Sequence, residues 1–266
     1  MTTHRKLACL LLALLLGTCG IASAQTIHLL TIADSNDLNI GTGTSGNTRR
    51  VADFVNRAAA EMKVTVSRQD VSGNAFSCRK ITEAVSLMKA APGDVVIFYY
   101  SGHGFRTDDN ATKFPDLYCG EEAFSGGAPR LVDIAADLAK KGARLTIAIA
   151  DSCNVLATQP LPPRPAAAIA SVPVSREKQY RKLFFGHKGT LTMSGSVEGQ
   201  FSWYMPGHGL FTDQLLQALD TATQPSRQGL WSEVLPLALA EIKVPYGKGT
   251  TIPQNPESDN RISPMP

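Results

Sequence analysis

One histidine and one cysteine stand where a chain could use them together. His103 lies in Ser101-Gly102-His103-Gly104, directly after the apolar run Val95-Val96-Ile97-Phe98-Tyr99-Tyr100. Cys153 lies in Asp151-Ser152-Cys153-Asn154, directly after Leu145-Thr146-Ile147-Ala148-Ile149-Ala150. A thiol with an imidazole beside it is the minimum equipment of an activated nucleophile. A thiol also needs less activation near neutral pH than a serine hydroxyl. Glycine on both sides of His103 permits close backbone approach to a substrate. The competing readings are a buried, backbone-satisfied histidine and an inert core thiol. Flanking glycines are odd for the first, and a position after Asp-Ser, beyond the apolar run, is odd for the second.

The elements that must bring the two residues together are legible around them. Each apolar run reads as a strand buried on both faces, which is the pattern of a parallel sheet. Thr26–Ile32 reads as a first strand and Val64–Arg68 as a second. Asp34–Gly46 is rich in Asp, Asn, Gly, Ser and Thr and reads as a loop. Asn47 then caps a helix running to about Met62. Helical spacing recurs over Cys78–Ala90, Leu131–Lys141, Leu210–Leu219 and Trp231–Ile242. Gly189–Gly195 reads as a further strand. This βαβ series predicts an α/β fold, a mainly parallel sheet with helices on both faces. Reactive groups in such sheets lie outside the carboxyl ends of the strands, where His103 and Cys153 both sit.

The ends and the composition bound the setting. Arg5 and Lys6, the apolar run Leu7–Leu16, and Ala22-Ser23-Ala24 before Gln25 form a signal-peptide pattern over residues 1–24. The expected product is a secreted or periplasmic protein beginning near Gln25. Cys19 raises a lipoprotein alternative, against which Thr18 is larger than the residue usual at that place. No later stretch approaches the ~20 apolar residues of a spanning helix, so no membrane contact is expected after signal removal. Losing Arg5 and Lys6 brings the chain's formal charge of +3 close to neutrality. With aromatics at 7% and not interleaved with basic runs, a nucleic-acid partner is not expected. Cys78, Cys119 and Cys153 remain, an odd number for an oxidising compartment. One arrangement pairs Cys78 with Cys119 and leaves Cys153 free; the other keeps all three reduced and buried. No Cys/His spacing suits zinc.

Taken together, Tyr100-Ser101-Gly102-His103-Gly104 and Asp151-Ser152-Cys153 resemble the histidine and cysteine motifs of the caspase-like cysteine peptidases, peptidase family C14. The closer likeness is to the bacterial caspase-like and metacaspase branch. Gly189-Thr190 through Met193-Ser194-Gly195-Ser196 resembles the Gly-Thr strand and Ser-rich loop of that family's smaller segment. Gly209-Leu210-Phe211-Thr212 and Gln254-Asn255-Pro256 are weaker echoes. The resemblance implies a three-layer sandwich around a six-stranded sheet. It divides the chain into a large segment 25–156, a Pro/Ala-rich and basic linker 157–184, a small segment 185–256 and a polar tail 257–266. It implies peptide-bond hydrolysis through a Cys153 acyl-enzyme, with His103 moving the proton. The backbone N–H groups of Gly104 and Cys153 would form the oxyanion hole.

The resemblance also names residues that would meet substrate: Asp151, Ser194 and Ser196. Asp151 resembles the metacaspase acid that binds a basic P1 side chain. The second acid of those relatives has no match, because Asn47-Thr48-Arg49 stands in its place; Thr44 sits near where aspartate-specific caspases carry an arginine. Asp108, Asp109, Asp116, Glu121 and Glu122 follow the histidine, where calcium-dependent metacaspases carry acids. Their spacing lacks a regular oxygen-ligand pattern, so the expectation is no cofactor, with calcium as the alternative. His187 and His208 read as a loop and a turn residue. Trp203 and Tyr204 read either as cleft walls or as core. The partner expected is a peptide or protein substrate, with monomer and homodimer both open. The alternative function is a catalytically silent homologue that binds peptides or partners.

Overall fold

The computed structural model describes residues 25–156, 175–247 and 249–265. The signal segment 1–24, with Cys19, and most of the expected linker, residues 157–174, lie outside the described residues. Among the described residues no helix is long and apolar enough to cross a membrane.

A six-stranded sheet organises the chain. In sequence order its strands are β1 (Thr26–Ala33), β2 (Thr65–Ser72), β3 (Val95–Ser101), β6 (Leu145–Asp151), β7 (His187–Ser194) and β12 (Glu257–Pro264). Three short pairs stand apart: β4 (Gly104–Phe105) with β5 (Asp116–Leu117), β8 (Tyr204–Met205) with β9 (His208–Gly209), and β10 (Ile242–Tyr246) with β11 (Thr250–Gln254). The sheet order is β12-β7-β6-β3-β1-β2, parallel throughout except for the antiparallel β7–β12 edge. This is the expected α/β architecture. The helices are α1 (Gly41–Met62), α2 (Cys78–Leu87), α3 (Leu131–Ala139), α4 (Glu177–Phe185), α5 (Leu210–Ala222) and α6 (Trp231–Ala238).

Strand alternation builds two cores. Val95, Ile97 and Tyr99 of β3 and Leu145, Ile147 and Ile149 of β6 face a layer made by α1, α4, α5 and α6. Val96, Phe98 and Tyr100, with Ala148 and Ala150, face α2 and α3. Both central strands are buried along their whole length. That is why they read as continuous apolar runs rather than alternating ones.

Several boundaries differ from the sequence reading. Helix α1 begins at Gly41, not Asn47, so Asn47 is a buried residue inside the helix rather than its cap. The last eight residues of the expected linker, 177–184, lie in helix α4, whose Tyr180, Leu183 and Phe184 enter the core. Its basic residues Arg181 and Lys182 masked the apolar positions between them. Residues 257–264, expected as a polar tail, pair with β7 as the edge strand β12. An edge strand faces water and carries polar residues, so its sequence gives little alternation to read. His187, read as a loop residue, is buried in β7 with Nδ1 3.1 Å from the Lys182 carbonyl oxygen. His208 lies in β9, just before α5.

Candidate active site

Register alone aligns the two chemically suggestive residues. In the β3–β6 pair Ser101 stands opposite Asp151, and His103 and Cys153 each lie two positions beyond that pair. Both residues line one cavity of about 300 Å³ at this sheet edge, together with Asp37. Phe105, Tyr118 and Phe124 wall the cavity on the His103 side; Val155, Leu156 and Phe201 wall it elsewhere. Phe124 and Leu156 are large apolar residues left exposed at its rim. Apolar walls around a few convergent polar groups are the usual make-up of a ligand site.

The His103 loop is held by its backbone and its neighbours. Tyr118 N–H donates to the His103 carbonyl at 3.1 Å. The Tyr100 hydroxyl lies 2.6 Å from the carbonyl oxygens of both His103 and Tyr118. The Tyr118 ring meets the imidazole edge-on at 6.0 Å, and a Cys78–Cys119 disulfide ties the next residue to the start of α2. Gly104 is required by close approach. A Cβ there would stand 2.3 Å from the Cys153 carbonyl oxygen and 2.6 Å from Ser152 Oγ. His103 Nε2 lies 3.2 Å from Asp37 Oδ2.

Cys153 is the free cysteine among the described residues, and it is buried. Its thiol donates to the Ser202 carbonyl oxygen at 3.8 Å. Burial pushes its pKa up to about 11, against the pull of the Ser202 backbone. At neutral pH the sulfur therefore keeps its proton until something takes it. Asn154 stitches the two loops together: Arg106 donates to its side-chain oxygen at 3.0 Å, and its amide donates to the Lys113 carbonyl at 2.7 Å.

The residues expected to meet substrate are placed elsewhere. Asp151 is fully buried. Its carboxylate accepts from Ser202 Oγ at 2.6 Å, Asn47 Nδ2 at 3.1 Å, Thr212 N–H at 3.2 Å, and the Thr212 hydroxyl. Burial raises its pKa, while Ser202, Thr212 and Asn47 oppose that rise. Ser194 Oγ donates to the Ser196 carbonyl at 3.0 Å, and Ser196 Oγ to the Ser152 carbonyl at 3.1 Å; both serines are fully buried. None of the three lines the cavity. Thr44 is buried with its hydroxyl donating to the Asp34 carbonyl at 2.9 Å. Trp203 and Tyr204 are buried, and Phe201 takes the wall position. Gln254 braces this region, its amide donating to Ser202 Oγ and its oxygen accepting from Trp203 N–H.

Three of the acids after the histidine have protein partners. Asp116 and Asp109 face Arg130 at 3.6 and 3.8 Å, and Glu122 accepts the Cys78 N–H at 2.8 Å. Among the described residues, the grouping whose donor atoms could share an ion is Asp34, Asp37 and His103, all within 4.8 Å. Asp37 and the apolar walls, Phe201 among them, are cavity residues that the sequence reading missed. Asp37 looked like one more polar loop residue, and its partner lies 66 positions away.

Comparison with known proteins places this arrangement. The caspase-domain model of peptidase family C14 matches residues 43–238. The chain belongs to the caspase-domain family. A search of curated proteins finds no match. Among solved structures, this caspase domain is similar to a crystal structure of a Geobacter sulfurreducens protein. The TM-score is 0.52 at 16% identity, covering 91% of this chain and 94% of that one, a likeness of fold. His103 and Cys153, on the two loops that line one cavity, both fall within the matched span. Membership supports a cysteine peptidase acting on proteins or peptides.

Proposed function

We propose that this caspase domain is a secreted or periplasmic cysteine endopeptidase with Cys153 as nucleophile and His103 as proton shuttle. The observation that carries this reading is the convergence of both residues on one cavity from paired, in-register strands. The Cys153 proton passes to the imidazole as sulfur attacks the scissile carbonyl carbon. The C–N bond breaks as the imidazole returns that proton to the leaving amine, which departs and leaves a thioester. Water then attacks the thioester, giving one proton to the imidazole, which restores it to the sulfur. The backbone N–H groups of Gly104 and Cys153 are the proposed oxyanion donors. No metal or cofactor takes part in these steps.

The walls of the cavity support apolar or aromatic side chains as the substrate groups that settle beside the dyad. The basic P1 preference suggested by Asp151 requires its carboxylate to leave Asn47, Ser202 and Thr212 when substrate binds. Secretion is supported by the pattern of residues 1–24 and by the Cys78–Cys119 disulfide, which suits an oxidising compartment. The second reading, a silent peptide-binding homologue, draws on the buried and protonated Cys153 thiol.

A fluorogenic peptide library incubated with the protein from Gln25 onward, with and without calcium, tests both. Cleavage that disappears in Cys153→Ala and in His103→Ala supports the peptidase, and the P1 profile separates apolar from basic preference. Cleavage that survives Cys153→Ala overturns it. Absence of cleavage, together with a Cys153 that no thiol-directed peptide probe labels, leaves the silent reading.

A further inference from the structure

Asp37 lies outside both motifs, yet its carboxylate stands at hydrogen-bond distance from the imidazole. It sits in the loop between β1 and α1. Its Oδ1 accepts the backbone N–H groups of Asn39 at 2.7 Å and Ile40 at 2.8 Å. Its carbonyl accepts the Gly41 N–H at 3.0 Å, where α1 begins. Oδ2 is left to face His103 Nε2 at 3.2 Å. The carboxylate is thus fixed to the start of a long helix, with one oxygen held by backbone and the other by the ring. Burial pushes the Asp37 pKa up, but the Ile40 and Asn39 amides and His103 outweigh it, and the net shift is downward. An ionised carboxylate is an acceptor only, so the ring nitrogen that faces it must carry a proton.

A neutral imidazole has one N–H to place. With Nε2–H committed to a carboxylate, Nδ1 carries the lone pair, and a histidine's tautomer is commonly set by the partner on its far nitrogen. Tyr118, edge-on to the ring, narrows the rotation that remains. Asp34 lies within 4.8 Å of the same grouping, but Asp37 is the acid at hydrogen-bond distance. We propose that Asp37 is a positioning residue that holds His103 in the Nε2–H tautomer and presents Nδ1 to the Cys153 thiol and the leaving amine. This rests on the peptidase reading. It adds a third member, from the β1–α1 loop, to a pair supplied by the β3 and β6 loops.

Asp37→Asn separates orientation from support of the turn before α1. The amide oxygen of asparagine still accepts the Asn39 and Ile40 N–H groups, while the charge that selects the tautomer is gone. Ring-nitrogen NMR of ¹⁵N-histidine-labelled protein from Gln25 onward, at mildly alkaline pH, reads the tautomer directly, with His103→Gln assigning the signal. The expected result is Nε2–H in the wild type and a shift toward Nδ1–H in Asp37→Asn, whose amide nitrogen would face Nε2 as a donor. Alongside it, kcat should fall about 10- to 100-fold with KM within about twofold, and Asp37→Glu should recover most of the loss. A wild-type tautomer retained in Asp37→Asn overturns the proposal. So does a changed tautomer with unchanged kcat. If the wild type cleaves no peptide, the peptidase reading falls by itself, and the ring spectra still decide whether Asp37 selects the tautomer.

Discussion

The loops carrying His103 and Cys153 leave paired strands in register, yet they are secured in opposite ways. On the histidine side the acid is Asp37, and both residues of that hydrogen bond keep about a quarter of their side-chain surface in contact with water, 24% and 22%. On the cysteine side the acid is Asp151, fully buried and held by Asn47, Ser202 and Thr212. A carboxylate left partly wet can stay ionised and bias a proton at little cost in stability. A carboxylate sealed from water needs every donor it has, and it serves to lock the loop in place. The half of the site proposed to move protons therefore keeps a path to solvent, and the half that presents the sulfur is packed for geometry.

Changing the two acids should expose that contrast first. Asp151→Ala removes the buried acceptor shared by the Asn47, Ser202 and Thr212 donors, with an expected loss of about 3–5 kcal/mol in urea or thermal unfolding. Asp37→Asn should cost less than about 1 kcal/mol in the same measurement, because its contact with His103 is partly solvated. Equal losses for the two variants would erase the distinction.

Removing the Cys78–Cys119 disulfide by Cys78→Ser with Cys119→Ser should cost about 2–4 kcal/mol, given the 41-residue separation it closes. The same change should loosen Tyr118 against His103 and lower kcat/KM, which a peptidase assay beside the unfolding curve would show. A smaller loss, about 1–3 kcal/mol, is expected for Gly104→Ala, whose methyl group would overlap the Cys153 carbonyl. Its activity should fall more than its stability, because Gly104 N–H is a proposed oxyanion donor. Activity at the wild-type level would remove Gly104 from that role.

The smallest effect at neutral pH concerns Cys153. Its folded pKa, about 11, lies above the ordinary value of 9.0. Raising pH therefore favours the unfolded state as the thiol titrates: this contribution to stability is full below about pH 9 and is lost as pH rises through about 11. Iodoacetamide labelling of Cys153 should rise roughly tenfold per pH unit up to about 11. A labelling rate already at its plateau near pH 7 would show a thiolate paired with imidazolium instead.

Much of the fold was open to a reader of the sequence because the signals were local. Val95–Tyr100 and Leu145–Ala150 are continuous apolar runs whose burial needs no knowledge of partners, and each ends at a residue with chemistry. The β12 edge and helix α4 were not legible. Glu257–Pro264 carries no apolar alternation, and Glu177–Phe185 hides its buried Tyr180, Leu183 and Phe184 among charges. At the site, His103 and Cys153 were found from their own neighbours, whereas Asp37 was missed. Asp151 was visible, but its burial was not, since the donors that hold it come from α1, α5 and the loop after β7.

The order of apolar runs, the glycines around His103 and the position of Cys153 settled an α/β sheet with a thiol and an imidazole at one edge, because strand burial and strand-end loops are written in neighbouring residues. Folding decided which carboxylate would touch the imidazole and which would vanish into the core. Both acids sit in short polar stretches that read alike along the chain. Only tertiary packing sets one against His103 through the β1–α1 loop and encloses the other among Asn47 of α1, Thr212 of α5 and Ser202 of the loop after β7.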